Sequence, residues 1–298
     1  MYLFSPGHNK MSRMKPHMRT QNIGHADLPY LLYDGNGPTI IFLHATGFLP
    51  WLWHPIALIL SSLYRIIVPN FSDHHAGDPA KRGINWLLLA EDLSLFCKRL
   101  NVENPFLVGH SMGATISTMV TALYGVQSKA MVLIEPIFLP RPFYLAQMSV
   151  NDHPLASKAI KRTNTWRNDT EAMEYLKSKA LFKSWNEEVL KLYVRYGMVK
   201  TDTGTLQLAC SPQHEAALFM GGMQYDPWPI LPNVTCPVLI LEGEKSENRH
   251  LIDLTEVVSH LPQGSHKTIK GAGHLIPMEL PEKTAIIIGD YFQSIVAY

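Results

Sequence analysis

The sequence predicts a doubly wound, mostly parallel α/β sheet carrying one helical insertion. Three observations lead there. Short β-branched and aliphatic runs recur along the chain, amphipathic helical patterns fill the gaps between them, and this alternation lapses between about Ile137 and Trp228. Near-continuous apolar runs suit strands buried on both faces of a parallel sheet, and strand–helix alternation is the signature of a sheet covered by helices on both sides.

The strand candidates are Thr39–Leu43, Arg65–Pro69, Phe106–Val108, Ala130–Ile134, Pro237–Leu241 and His266–Ile269. An earlier strand near Pro29–Tyr33 runs into the turn-forming stretch Asp34-Gly35-Asn36-Gly37-Pro38. Apolar residues at helical spacing predict helices over Trp53–Ser62, Trp86–Leu100 and Glu282–Val296. Within the gap no run is strand-like, and Asp169–Ala180, Asn186–Met198 and Gln213–Met220 are the helix candidates. The organisation we expect is a loosely ordered extension over residues 1–20, a core formed by 21–136 and 229–298, and a helical cap over 137–228.

Composition narrows the class. The chain has 298 residues, 46% hydrophobic and 17% charged, with a formal net charge of +1. It can bury a large core, and it carries no charge excess that would draw it to nucleic acid or a membrane surface. Cys97, Cys210 and Cys236 form no CxxC pair and match no zinc spacing, so free thiols in a reducing cytosol are expected. The N-terminal stretch has no apolar core of signal-peptide length, and no run of about 18 apolar residues occurs. These features predict a cytoplasmic protein acting on a small molecule, without nucleic-acid or membrane partners.

The strongest chemical signal is Gly109-His110-Ser111-Met112-Gly113, a G-x-S-x-G pentapeptide. It lies between the strand Phe106–Val108 and a helical pattern over Ala114–Tyr124, the context that gives the motif meaning. A sharp strand-to-helix turn holds the serine in a strained conformation, and bulk two positions to either side would block the crossing chains. Such a turn exposes the hydroxyl at the carboxyl edge of the sheet. It also aims the amide of Met112 at an oxyanion, and the helix N-terminus adds partial positive charge.

With this motif in this context the chain resembles the α/β-hydrolase superfamily, from about Leu28 to the C-terminus outside the insertion. The resemblance implies an α/β-hydrolase sheet with a cap, a serine nucleophile at Ser111 and a second oxyanion donor in His44-Ala45-Thr46-Gly47-Phe48, where Thr46 takes the donor position. Ala45 stands where the family usually has glycine, and His44 is read as a buttress of the loop. Gly271-Ala272-Gly273-His274 follows the last strand candidate, where the family places its catalytic histidine. Imidazole is suited to the work because its ordinary pKa lies near 6.5, so it can take a proton from the serine and return it.

The acid departs from the usual pattern. Ser246 occupies the position where the family commonly has aspartate, and a neutral hydroxyl cannot stabilise imidazolium as a carboxylate does. Glu135, at the end of Ala130–Ile134, is the preferred acid; some dehalogenases and small esterases of the family place theirs there. Glu247 is the alternative, Ser246 an auxiliary to the histidine, and Glu242 ranks below both. His74 and His75, in Asp73-His74-His75-Ala76-Gly77, are read as structural.

Phe48, Trp51, Phe138, Phe143 and Tyr144 are the substrate-binding candidates, with Trp53, Trp166, Phe219 and Met220 as further wall residues. The expected activity is hydrolysis of a carboxylic ester, thioester or lactone of a small apolar substrate through an acyl-enzyme. Hydrolytic C–C cleavage and a non-catalytic receptor role are the alternatives. An aspartate-dependent dehalogenation is disfavoured by serine at position 111. No metal, nucleotide or flavin motif is present, so chemistry without a cofactor is expected.

Overall fold

The computed structural model describes residues 15–296. Eight strands form the central sheet: β1 (His17–Asn22), β2 (Asp27–Tyr33), β3 (Thr39–Leu43), β4 (Arg65–Pro69), β5 (Phe106–His110), β6 (Ala130–Ile134), β10 (Val238–Gly243) and β11 (Gly264–Ile269). Their spatial order is β1-β2-β4-β3-β5-β6-β10-β11. The six strands from β4 to β11 are parallel, and β1 and β2 add antiparallel at one edge.

The side-chain period of two sends alternate residues of each strand to opposite faces. Ile41, Leu43, Ile67, Leu107, Met131, Leu133 and Ile240 pack on one side against the helices Trp86–Arg99 and Met112–Leu123. Ile40, Phe42, Ile66, Phe106, Val108, Val132 and Leu241 pack on the other against His54–Leu60 and Pro281–Val296. Both faces are therefore dry, which is why these strands read as unbroken apolar runs.

Two expectations are corrected. Residues 17–20, placed in the loosely ordered extension, belong to β1, which pairs with β2 in the register His17↔Leu32 to Asn22↔Asp27. The strand is exposed along almost its whole length, so it carries no apolar alternation and is held through its backbone. Residues 1–14 of that extension lie outside the described residues, as do 297 and 298 of the expected core. The segment between β6 and β10 is also not purely helical. Besides Asp169–Ser178, Glu187–Tyr196 and Pro212–Gly221 it holds a three-stranded antiparallel sheet: β7 (Thr165–Trp166), β8 (Met198–Lys200) and β9 (Leu206–Leu208), in the order β7-β9-β8. Strands of two or three residues are too short to show a period.

This inserted segment packs on the loops at the carboxyl edge of the main sheet. Trp166, Phe182, Trp185, Tyr193 and Leu208 share one apolar cluster with Ala45, Phe48 and Leu52, which follow β3, and with Leu275 and Met278, which follow β11. Backbone bonds tie it down further: Asn186 N donates to Met278 O (2.8 Å), and Ile84 N to Ala217 O (2.9 Å). No helix among the described residues is long and apolar enough to cross a membrane.

Candidate active site

Thr46, Ser111, Glu135, Ser246, Glu247 and His274 each follow the carboxyl end of a parallel strand, where open α/β sheets place their sites. Ser111 follows β5, with φ 53° and ψ −116°, a conformation a non-glycine residue adopts only when its surroundings force it. The forcing is visible. Ser111 N donates to Ile134 O (2.9 Å), while Ala114 N turns back to Ser111 O (3.0 Å) to begin the helix. A Cβ on Gly113 would collide with the carbonyl oxygens of Leu43 and His44, and one on Gly109 with Gly113 O. The helix N-terminus thus lies directly against the end of β3, next to the loop holding Thr46. Met112 is fully buried as the first residue of that helix, and Thr46 is 7% exposed.

The loop after β3 is pinned from below. His44 is buried, its ring packs on Phe71 (4.5 Å between centroids), and its Nδ1–H donates to Ala45 O (3.0 Å). Burial holds its pKa below the ordinary value, so the ring is neutral and bears on the loop without carrying charge.

Glu135 follows β6 and is 1% exposed. Three donors converge on it, as a carboxylate withdrawn from water requires. Gly243 N–H donates to Oε1 (2.6 Å), and Ser246 Oγ–H to Oε2 (2.6 Å). His274 Nδ1–H also donates to Oε2 (2.9 Å). The carboxyl on His274 is therefore that of Glu135. Glu247 is exposed on a short 3-10 turn, and no hydrogen bond or ion pair joins it to His274. Glu242 instead meets Arg249 Nη1 (2.6 Å). Ser246 reaches the carboxylate rather than the imidazole, and its oxygen also accepts from Asn248 N (3.3 Å). Asn248 Nδ2 lies 3.0 Å from His274 Nδ1. A ring nitrogen that donates to Glu135 has no lone pair left for it, so Asn248 is a neighbour of the ring in this tautomer.

With Nδ1 committed to Glu135, Nε2 is the nitrogen of His274 left for proton exchange. His110, beside Ser111, fixes the other end of the arrangement: its Nε2–H donates to His274 O (2.9 Å), and the two rings stand 5.1 Å apart. Complete burial, followed by the nearness of His274, pushes the His110 pKa down to about 3. Above about pH 6.5 that imidazole is neutral in folded and unfolded chains alike. As the pH falls from there toward 3, the unfolded chain takes up a proton that the folded one refuses, so stability is lost. Between pH 7 and pH 5 the wild type should lose about 2 kcal/mol more than His110→Gln, read from urea midpoints at the two pH values. Equal losses in the two proteins would remove His110 as the cause.

The aromatic candidates separate. Phe48 is 8% exposed and meets Trp185 and Tyr193 edge to face, joining the loop after β3 to the insertion. Trp51 stacks flat on Tyr196, 3.7 Å between centroids. Phe138 is corrected: it is fully buried against Trp228 in the main core and is a packing residue. Tyr144 packs on the same core and its hydroxyl accepts from Leu139 N (2.8 Å), while Phe143 is half-buried beside it.

Sequence reading missed a part-buried ion pair beside the loop after β3. Arg162 Nη1 donates to Glu215 Oε2 (2.7 Å), and its Nη2 to Tyr193 Oη (3.3 Å). Glu215 lies so close to Gly47 that a Cβ there would stand 2.5 Å from its Oε1. The two partners are 53 positions apart in the chain, and no local pattern links them.

A parallel sheet crossed by a serine elbow, with a carboxylate–imidazole pair on its carboxyl edge, is the architecture of α/β-hydrolases. The chain belongs to the alpha/beta hydrolase family, whose model matches residues 40–286. It is similar to the 2-(acetamidomethylene)succinate hydrolase of Mesorhizobium japonicum, 24% identical over 87% of this chain and 90% of the relative. It is 23% identical to the monoglyceride lipase of Rattus norvegicus, over 92% and 91% of the two chains. Among solved structures, E-2-(acetamidomethylene)succinate hydrolase superposes with a TM-score of 0.79 at 22% identity, covering 94% of this chain and 100% of that one.

Proposed function

We propose that the protein is a serine hydrolase that cleaves a carboxylic ester, or a thioester or lactone, through an acyl-enzyme. The observation that carries this reading is the line of contacts from Ser246 through Glu135 to His274 Nδ1, set beside a serine held at φ 53°. In this mechanism His274 Nε2 takes the proton of Ser111 Oγ as the hydroxyl attacks the carbonyl carbon. Glu135 keeps the ring in the tautomer that can accept that proton, and stabilises the imidazolium that forms. The oxyanion is met by the amides of Met112 and Thr46, each contributing about 3 kcal/mol to the transition state. His274 then returns the proton to the departing oxygen or sulfur, and water attacks the acyl-serine by the same route.

The inserted segment serves as the cap. Phe48, Trp51 and Phe143 supply apolar surface on the acyl side. Arg162 is already neutralised by Glu215, which favours a neutral acyl group over an anionic one. The relatives support bond hydrolysis at large; one acts on a succinate derivative and the other on monoglycerides.

The test is hydrolysis of p-nitrophenyl esters from acetyl to decanoyl. Saturable turnover is expected, with a burst of p-nitrophenol approaching the enzyme concentration for esters whose deacylation is slower than acylation. Stoichiometric release without further turnover would identify a receptor that retains the nucleophile. No release with any ester would move the reading to C–C substrates of the same fold.

A further inference from the structure

Outside the Ser111 site, a cluster of ligating side chains among the described residues surrounds Asp92. This residue lies on the inward face of the helix Trp86–Arg99, among Leu89, Leu93 and Phe96, and is 3% exposed. A carboxylate there is costly unless it is met by strong partners. Its partners are three imidazoles brought by two separate loops. His25 Nε2, from the turn between β1 and β2, stands 3.0 Å from Oδ1. His74 Nε2 and His75 Nε2, from the loop after β4, stand 2.7 and 2.6 Å from Oδ2. The donor atoms of His25, His74 and Asp92 all lie within 4.8 Å of one another. Among the described residues, no lysine or arginine is paired with Asp92.

We propose that His25, His74 and Asp92, with a reoriented His75 as the fourth donor, form a binding site for a divalent transition-metal ion of the zinc class. Nitrogen-rich sites with one carboxylate are those that zinc takes in tetrahedral form. Tetrahedral donors about 2.0–2.1 Å from zinc stand roughly 3.3 Å apart, so the contacts to Asp92, at 2.6–3.0 Å, would widen by about half an ångström while donor pairs as far as 4.8 Å apart draw in. The movement falls on a turn and a loop rather than on the sheet. Side-chain exposure of 54% at His25 and 20% at His75 leaves an entry path for the ion.

The role is structural. The ion would staple the β1–β2 turn and the loop after β4 onto the helix Trp86–Arg99. That loop is itself coupled to the insertion, since Ser72 O accepts from His214 Nε2 (3.0 Å). None of the donors belongs to the proposed hydrolytic machinery, so the two proposals stand or fall separately. The site escapes motif reading because its donors are spread from residue 25 to residue 92.

The full chain, free of any histidine tag, is stripped with chelator and titrated with zinc chloride by calorimetry and with cobalt(II) chloride by visible absorption. One equivalent per chain is expected, with the intense visible bands of tetrahedral cobalt and a rise of the melting temperature at saturating zinc. His25→Ala, at a half-exposed position, should weaken binding by roughly tenfold or more, and Asp92→Asn should abolish it. Absence of one-equivalent binding in the intact chain would overturn the site. So would undiminished affinity in His25→Ala and His74→Ala together.

Discussion

Replacing Ser111 with alanine should lower kcat by about 10⁵–10⁶ and leave the fold intact. The size of the loss follows from the chemistry. Without the hydroxyl no acyl-enzyme can form, and only water attack assisted by the oxyanion donors remains, about 10³–10⁴ above the reaction in water. The fold should survive because what holds the elbow is backbone. Ser111 N donates to Ile134 O, Ser111 O accepts from Ala114 N, and the helix N-terminus stays pressed on Leu43 and His44 through Gly113. Alanine keeps the positive φ that serine already tolerates. The checks are steady-state ester hydrolysis, loss of labelling by a fluorophosphonate, and an unchanged melting temperature. Activity within tenfold of wild type would falsify Ser111 as nucleophile.

Glu135→Gln should cost about 10⁴ in kcat, while Glu247→Gln should leave kcat within about twofold. Glutamine has nearly the size of glutamate but only one acceptor oxygen. Gly243 N–H, Ser246 Oγ–H and His274 Nδ1–H all donate into the carboxylate, so an amide must turn its NH₂ toward at least one of them. If it confronts His274, the ring is driven to the wrong tautomer and its Nε2 holds a hydrogen when it should accept one. A buried donor left unpaired also destabilises the protein by about 1–3 kcal/mol, so a lower melting temperature should accompany the lost rate. Ser246→Ala removes one donor to Oε2 and should fall between the two, near tenfold. A deeper loss in Glu247→Gln than in Glu135→Gln would return the acid to the loop after β10.

The contrast between those two glutamates shows where sequence reading stops. Both lie at plausible strand ends, and a loop shift of one residue was enough to keep Glu247 in play. What separates them is the backbone. Glu135 sits at φ 51°, with its amide bonded to Leu241 O, and this turns its side chain under Gly243. A conformation of that kind has no local signature in a non-glycine residue. Phe138 was misread for a related reason. Its aromatic ring suits a pocket wall as well as a core, and only its contact with Trp228, 90 positions away, decides.

The sequence by itself determined the parallel sheet, the helices on both its faces and the serine elbow. Each is recorded locally, in buried runs, in helical periods and in glycines two positions either side of a crossing. The edge strand β1 and the small sheet of the insertion were settled only by tertiary structure, because exposed or very short strands carry no hydrophobic period. The acid partner of His274, the Arg162–Glu215 pair and the ring of histidines around Asp92 were likewise decided there. Each joins residues from separate elements, and contact between distant positions is set by how the layers pack, which no window of neighbouring residues records.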